Sequence, residues 1–306
     1  MKPTRTYTFE TPEYCEMCLD TVDKHKILGQ RLSQSQGFIP KSKTGISVTV
    51  RKYNNCGLVY SYPQPIPQSI NDHYGINPEE YSWKEDYFKY DPSYFSHQIR
   101  TAKELLNFTT GMKALDVGTG LGKAMKAMLE AGFDAYGIEP SPNFRDRSIE
   151  WLNIPRDKIQ LASAEESDFP ENYFDFITFG AVFEHLYHPA AILEKAAKWL
   201  KPGGIIHIEV PSAKHFMGTL TNFYFKLRGT NYVSHLSPMH APFHLYEYTY
   251  KSFQEISKRL LLTPVKHYFD VCNIYFAPRI AKPFLRKYME LTKTGMQLTV
   301  YLKKEK

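Results

Sequence analysis

The chain has 306 residues, of which 42% are hydrophobic and 23% are charged. That balance excludes a disordered protein and predicts a globular one, burying roughly three quarters of its unfolded surface in one large or two smaller domains. The formal charge of +6 comes from Lys and Arg residues that are spread along the sequence. This spread argues against a nucleic-acid partner but is compatible with anionic substrates.

The sequence predicts a cytoplasmic protein with no membrane span. No apolar run approaches the roughly 18 to 20 residues that cross a bilayer, and the N-terminus lacks the apolar centre of a signal peptide. The four cysteines are Cys15, Cys18, Cys56 and Cys272. They are too few and too unevenly spaced for a disulfide scaffold, which fits a reducing compartment.

Residues 1–70 differ from the rest and predict a small ribbon-like module. Cys15 and Cys18 have the spacing of one zinc knuckle, and Cys56 lies in the Cys-Gly-aliphatic pattern of a second one. The third ligand of such a ribbon would stand where this chain has Tyr53. Two interpretations follow: a structural zinc held by the three cysteines with His25, His73 or another donor, or a metal-free hairpin.

An aromatic linker then leads to a helix that we expect to end near Phe108. At helical spacing Tyr87, Tyr90 and Tyr94 are typical of core packing. From residue 71 to 306 we predict one domain in which strands and helices alternate, because short loops between them favour a mostly parallel sheet with helices on both faces.

The first strand of that domain, Ala114 to Val117, runs into a turn with glycines at positions 118, 120 and 122. Glycine lets the backbone approach a ligand, so this turn predicts a cofactor site. Lys123 stands where the dinucleotide pattern G-x-G-x-x-G has glycine, and Asp116 lies at the strand end. The stretch resembles motif I of class I S-adenosylmethionine (SAM)-dependent methyltransferases more than a NAD site.

Later strands carry further polar residues at their carboxyl ends, where open α/β sheets bind ligands. The second strand, Asp134 to Ile138, ends in Glu139, which can accept hydrogen bonds from both ribose hydroxyls of a nucleoside; a solvated or helix-capping carboxylate is the alternative. A third strand is predicted at Lys158 to Leu161. The fourth, Phe174 to Gly180, is a continuous apolar run typical of a buried parallel strand.

The fourth strand delivers Glu184-His185-Leu186, followed by Pro189. Lys201-Pro202-Gly203-Gly204 ends the next helix, Ala190 to Leu200, before an apolar fifth strand, Ile205 to Val210. Both patterns are similar to small-molecule methyltransferases. An unperturbed histidine side chain has a pKa of about 6.5, so His185 can take a hydroxyl proton near neutrality. Structural packing of His185 is the alternative.

The resemblance implies a Rossmann-like seven-stranded class I methyltransferase sheet and a SAM site. It places that site on the glycine turn and the ends of the second, third and fourth strands: Asp116, Gly118, Thr119, Gly120, Gly122, Glu139, Pro140, Ala164, Glu165 and Gly180. It also implies a tyrosine lid over the methionine end of SAM, for which Tyr74 and Tyr81 are candidates.

Residues 211–250 exceed the minimal fold and predict a substrate-side insertion, because this segment is long, aromatic and rich in histidine. Similar stretches in polysaccharide-cluster methyltransferases imply that His240 and His244 reach the substrate. A metal cluster of His235, His240 and His244 is disfavoured, since they lie in a Pro-broken loop without helical i, i+4 spacing. Lys226 and Arg228 could meet a phosphate or a membrane surface, so peripheral membrane contact stays open.

The C-terminal part completes the sheet. The predicted elements are a helix at Ser252 to Leu260, a strand at Pro264 to Val271, a basic helix at Lys282 to Thr292 and a strand at Met296 to Leu302. This order resembles the class I methyltransferase ending, in which the last strand inserts antiparallel between the fifth and sixth.

The resemblance, with its C-x-x-C start, implies a methyltransferase acting on a sugar or nucleotide-sugar hydroxyl in glycan or secondary metabolism. Three alternatives remain: a quinol, phenol or other small-molecule O-methyltransferase, a non-catalytic SAM-binding protein, and a nucleic-acid-binding protein. The sequence predicts SAM as cofactor, with structural zinc as an open addition, and does not indicate an oligomeric state.

Overall fold

The computed structural model describes residues 6–32, 45–69, 88–236, 243–274 and 277–305. In chain order the strands are β1 (Tyr7–Glu10), β2 (His25–Leu32), β3 (Ser47–Tyr53), β4 (Val59–Tyr62), β5 (Gln64–Pro67), β6 (Lys113–Val117), β7 (Asp134–Ile138), β8 (Ile159–Gln160), β9 (Phe174–Gly180), β10 (Leu200–Pro211), β11 (Tyr246–Glu247), β12 (Leu262–Asp270) and β13 (Gln297–Lys304). The α-helices are α1 (Ser96–Leu106), α2 (Lys123–Glu130), α3 (Pro142–Leu152), α4 (Pro189–Trp199), α5 (Phe216–Leu227), α6 (Tyr250–Leu260) and α7 (Lys282–Thr292).

The central sheet has seven strands in the order β12-β13-β10-β9-β6-β7-β8. Strands β8, β7, β6, β9 and β10 are parallel, whereas β13 lies antiparallel between β10 and β12. The predicted α/β sheet with its inserted antiparallel last strand is therefore confirmed. Parallel strands joined through helices place their carboxyl ends at one edge, which is where a ligand is expected.

The complete burial of strand β9 explains why this strand could be predicted from the sequence. Phe174, Phe176, Ile177 and Phe179 of β9 are all fully buried, as a strand covered on both faces requires. Helix α3 begins directly after Ser141, because the Ser141 hydroxyl accepts the Phe144 amide at 3.3 Å and caps the first turn.

Several predicted strand boundaries differ from the structure, including those of β10 and β8. Strand β10 begins at Leu200 rather than at residue 205, because the Lys-Pro-Gly-Gly turn continues as extended chain that pairs Leu200 with Phe174 before the register shifts. Strand β8 has only two residues and is shorter than predicted. Its pairing with β7 begins at Ile159, directly after a short 3₁₀ turn, Arg156–Lys158.

A second sheet of four antiparallel strands has the order β11-β4-β3-β2, and β1 pairs with β5. One strand of this second sheet, β11, therefore comes from the segment after β10 rather than from the N-terminal residues. The buried N-terminal residues Tyr53, Leu58 and Tyr60 belong to the same hydrophobic cluster as the parallel sheet. The division into residues 1–70 and 71–306 stays a prediction.

Candidate functional site

A cavity of about 490 Å³ opens at the carboxyl ends of β6, β7, β9 and β10. Nine of the ten residues that the sequence assigned to the glycine turn and strand ends line it: Asp116, Gly118, Thr119, Gly120, Glu139, Pro140, Ala164, Glu165 and Gly180. The tenth, Gly122, does not line it. The volume falls in the range of small-molecule and cofactor sites.

The three glycines of the turn all have positive φ, but they serve different purposes. A Cβ on Gly118 would lie 2.5 Å from Val182, and one on Gly122 would lie 2.9 Å from Ser148. These two positions are therefore glycine because of packing. At Gly120 an added Cβ meets no protein atom within 4 Å, so the side chain would enter the open space of the cavity.

Glu139 is held rigidly at the cavity wall. One of its carboxylate oxygens accepts the Gly120 amide at 2.7 Å and the other accepts the Ser141 amide at 2.9 Å. Burial raises the pKa of this carboxyl to about 7, although the two amide hydrogen bonds oppose the rise. Each carboxylate oxygen has a second lone pair, so Glu139 can still accept hydroxyl donors from a ligand.

Asp116 supplies a second buried acid beside it. Its Oδ2 atom is buried and has no hydrogen-bond partner within the part of the chain that the structure describes. Burial first, and then the nearby charge of Glu139, raise the pKa of Asp116 to about 8. A buried carboxylate oxygen without a partner is costly, so this atom favours a ligand that brings a donor or a positive charge.

Several residues that the sequence interpretation did not assign to the cavity also line it, among them Tyr94, Phe95, Gln98 and Glu209. The Gln98 amide donates to Oε2 of Glu209 at 3.0 Å, and Tyr94 and Phe95 cover the same side. Tyr94 was expected to pack in the core, and that expectation is wrong, because 48% of this residue is exposed. The signal for Glu209 was present: it is the one acid in the apolar strand stretch Ile-Ile-His-Ile-Glu-Val.

His185 lies in a short 3₁₀ turn, Phe183–His185, that follows β9, and it lines the cavity. Its Nδ1 atom is 2.9 Å from the carbonyl oxygen of Phe243. A carbonyl oxygen only accepts, so Nδ1 carries a proton, and in the neutral imidazole Nε2 is then the nitrogen with the lone pair. This is the tautomer that a general base requires.

His244 packs edge-on against His185, with ring centroids 4.7 Å apart. A carboxylate oxygen of Glu184 and ring nitrogens of His185 and His244 all lie within 4.8 Å of one another. The Glu184 residue is buried, with 2% of its surface exposed. Burial raises the pKa of Glu184 to about 8. Two of the three histidines that the sequence singled out as candidate catalytic residues, His185 and His244, thus lie together at the end of β9 with a buried acid beside them.

The other predicted residues lie elsewhere. His235 forms a buried ion pair with Glu247, whose second oxygen accepts the Leu236 amide at 2.6 Å, so it does not join His244. Tyr74, Tyr81, Tyr87 and His240 fall outside the described residues.

The sulfur atoms of Cys15, Cys18 and Cys56 lie within 4.8 Å of one another, as the knuckle spacing predicts. The Leu58 amide points at the Cys56 sulfur from 3.4 Å. His25 does not belong to this group, and Tyr53 is buried and stacked on Tyr60 with centroids 4.6 Å apart. All four cysteines are free thiols in the structure.

A family model described as a methyltransferase domain matches residues 87–260. Among curated proteins, the chain is 31% identical to ubiquinone biosynthesis O-methyltransferase of Psychrobacter arcticus over 42% of this chain and 51% of that protein. It is 31% identical to phosphoethanolamine N-methyltransferase 3 of Arabidopsis thaliana over 36% of this chain and 24% of that protein. The match therefore spans about half or less of the length of these relatives.

Among solved structures, a SAM-dependent methyltransferase of Archaeoglobus fulgidus aligns with a TM-score of 0.49 and 16% identity, covering 72% of this chain and 97% of that one. The family match covers more than half of the 306 residues. With the strand order of its central sheet, the chain belongs to the methyltransferase-domain family and has the class I fold.

Proposed function

We propose that the protein is a SAM-dependent methyltransferase that methylates a hydroxyl group of a small molecule. The single observation that carries this proposal is His185, which lines the cavity and has its tautomer fixed by the Phe243 carbonyl. SAM bound in the cavity would supply a methyl group already activated on a sulfonium.

The chain's own residues fit that cofactor. Glu139 offers carboxylate lone pairs to ribose hydroxyls, and the Oδ2 atom of Asp116 suits a positively charged donor. Gly120 leaves open space where the backbone meets the ligand. Ala164 and Glu165 border the same cavity and are proposed to lie beside the adenine ring.

Proton removal is the step that the protein must supply for a hydroxyl acceptor, because an alcohol is a poor nucleophile until its proton leaves. The Nε2 atom of His185 accepts that proton in our proposal, while the Phe243 carbonyl stabilises the resulting imidazolium through Nδ1. Holding the acceptor in line with the transferred methyl group supplies much of the remaining rate enhancement.

The acceptor we propose is a sugar or nucleotide sugar. The hydrogen-bonded pair of Gln98 and Glu209 supports it, since a half-buried amide and carboxylate that line a cavity suit an acceptor rich in hydroxyl groups. The C-x-x-C start resembles methyltransferases of sugar pathways. The second candidate is a quinol or phenol, favoured by the similarity to ubiquinone biosynthesis O-methyltransferases.

The test is release of S-adenosylhomocysteine by purified protein with SAM and a panel of nucleotide sugars, quinols and phenols. We expect turnover with a hydroxyl acceptor and none with the same acceptor lacking that hydroxyl. Turnover on amines alone would contradict the hydroxyl proposal.

We also propose that Cys15, Cys18 and Cys56 hold a structural zinc ion. Three converging thiols that form no disulfide suit zinc, and the Leu58 amide directed at the Cys56 sulfur suits a metal-bound thiolate. Within the described residues no fourth cysteine, histidine or acid joins them, so water or a donor from outside these ranges completes the tetrahedron. Elemental analysis should find about one zinc per chain, and chelation should lower the thermal midpoint. Metal-free protein with unchanged stability would identify a metal-free hairpin.

A further inference from the structure

Helix α5 presents an apolar stripe to solvent. Leu220, Phe223, Tyr224 and Leu227 recur at i, i+3, i+4 and i+7, so they share one helix face. Their exposed fractions are 42%, 60%, 50% and 71%. Phe225, on the opposite side, is buried. The exposed stripe is thus additional to the face that packs on the protein.

Helix α7 and the turn before it repeat this arrangement. Ile280, Phe284, Tyr288 and Leu291 lie at i, i+4, i+8 and i+11, again on one side, and their exposed fractions are 82%, 75%, 47% and 71%. Met289 is fully buried on the other side. A helix with apolar residues on both faces has more apolar surface than its own fold uses.

The two stripes meet, because Phe216, which lies four residues before Leu220 on the same side of α5, contacts Tyr288 of the second stripe. The rings of Phe216 and Tyr288 are 4.7 Å apart, and the Phe216 amide donates to the Thr294 carbonyl at 3.0 Å. Phe216, Met217 and Leu285 pack around buried Met289. We call the eight exposed residues of the two stripes the α5–α7 face.

The segments that carry the α5–α7 face are strongly basic. Residues 211–246 contain Lys214, Lys226 and Arg228 and no acid. Residues 271–296 contain five basic residues against one acid, Glu290: Arg279, Lys282, Arg286, Lys287 and Lys293. Together they carry a net charge of +7, whereas the whole chain carries +6, so the remainder has a net charge of −1.

The strands that precede α5 and α7 end at the same edge of the sheet as the cavity. Strands β10 and β12 both end where β13 begins, at the pairs Pro211–Gln297 and Asp270–Gln297. Glu209, two residues before the end of β10, lines the cavity. Helix α5 begins five residues after that strand, so face and cavity lie toward the same edge of the sheet.

We propose that the α5–α7 face binds the surface of an anionic lipid bilayer. Exposed Phe, Tyr, Leu and Ile side chains at helical spacing suit insertion at the boundary between headgroups and acyl chains, and surrounding Lys and Arg suit phosphate groups. None of the helices within the described residues is long and apolar enough to cross a membrane, so the contact is peripheral.

The charge argues against a second copy of this chain as the occupant. A two-fold contact places the same patch against itself, so two surfaces rich in Lys and Arg would meet with one acid, Glu290, on each copy. An anionic bilayer supplies the opposite charge across the whole face. An acidic protein surface would also be negatively charged, but it would not explain why eight apolar side chains are exposed on this face.

Co-sedimentation with vesicles tests the proposal and needs neither SAM nor an acceptor, so its outcome is independent of the methyl-transfer proposal. We expect the wild-type protein to sediment with vesicles of phosphatidylcholine and phosphatidylserine, and at least tenfold more weakly with phosphatidylcholine alone or at high salt. Two double variants, Phe223→Ser with Leu227→Ser and Phe284→Ser with Leu291→Ser, should each weaken binding by about tenfold or more.

Leu261→Ser is the matched control, because Leu261 is also 71% exposed but lies at the end of α6. It should bind vesicles as the wild type does. Circular dichroism and thermal denaturation establish that every variant is folded. Wild-type protein that stays in the supernatant, or folded double variants that still sediment fully, would overturn the proposal. A wild-type dimer that the double variants convert to monomer would instead identify the face as a contact between copies.

Discussion

Replacing Gly120 by valine isolates the contribution of the glycine turn to cofactor binding. Gly120 has φ of +53°, and an added Cβ meets no protein atom within 4 Å. The left-handed conformation costs a non-glycine residue about 1–2 kcal/mol, which lowers stability without a collision. In the cofactor complex the valine competes for space in the cavity, and forced overpacking costs about 1–3 kcal/mol. The dissociation constant of SAM should therefore rise by roughly 5- to 150-fold, since 1.4 kcal/mol is a factor of ten.

Gly111→Val is the matched control. Gly111 also has positive φ, +88°, and open space around its Cβ, but it is exposed and does not line the cavity. Both variants should lose a similar few degrees in thermal midpoint. Calorimetric titration with SAM should then show weakened binding only for Gly120→Val. Wild-type affinity in folded Gly120→Val, or equal loss in Gly111→Val, would refute the reasoning.

Three further predictions concern the buried titratable groups. His185→Gln should lower kcat by about 10²-fold or more and remove the acidic limb of the pH profile while SAM affinity is kept; wild-type turnover would exclude His185 as the base. The folded-state pKa values of Asp116 and Glu139 are raised to about 8 and about 7. Folded protein therefore holds protons that unfolded protein releases, so the ligand-free protein should lose stability as pH rises from about 4 to about 8. Asp116→Asn should lessen that loss in thermal scans. A pH-independent midpoint across this range would contradict the burial argument. His235→Gln should lower the free energy of unfolding by about 3–5 kcal/mol in denaturant titration, because it leaves the buried carboxylate of Glu247 without its charged partner. A change below about 1 kcal/mol would mean that the pair is not formed.

Most of the parallel sheet could be predicted from the sequence because its strands are short segments rich in buried apolar residues, with recognisable polar residues at or just after their carboxyl ends. Strands β7 and β9 and helix α7 have the predicted bounds. The cavity residue Asp116 lies near the end of β6 and Glu139 directly follows β7, so locating the strands also located the acids.

Long-range pairing could not be predicted in the same way. The two-residue strand β11 completes the N-terminal sheet by pairing with β4, nearly two hundred residues earlier in the chain, and no local pattern indicates that partner. The contact between Gln98 and Glu209 also joins residues that are far apart in the sequence, so no local pattern indicates it either. Tyr94 was misassigned because helical spacing of aromatics does not distinguish a core face from a cavity wall.

The basic charge shows the same limitation. Along the sequence Lys and Arg look evenly spread, and only the contact between α5 and α7 brings two acid-poor segments together. The fold therefore concentrates a net charge that sequence composition alone spreads over the whole chain.

Calorimetric titration of the wild-type protein and of Glu139→Ala with SAM tests the central claim most directly. The account predicts one binding site per chain in the wild type and a loss of affinity of at least tenfold in the folded Glu139→Ala variant, because Glu139 would no longer accept the ribose hydroxyls. Absence of SAM binding by folded wild-type protein, or unchanged affinity in Glu139→Ala, would contradict it.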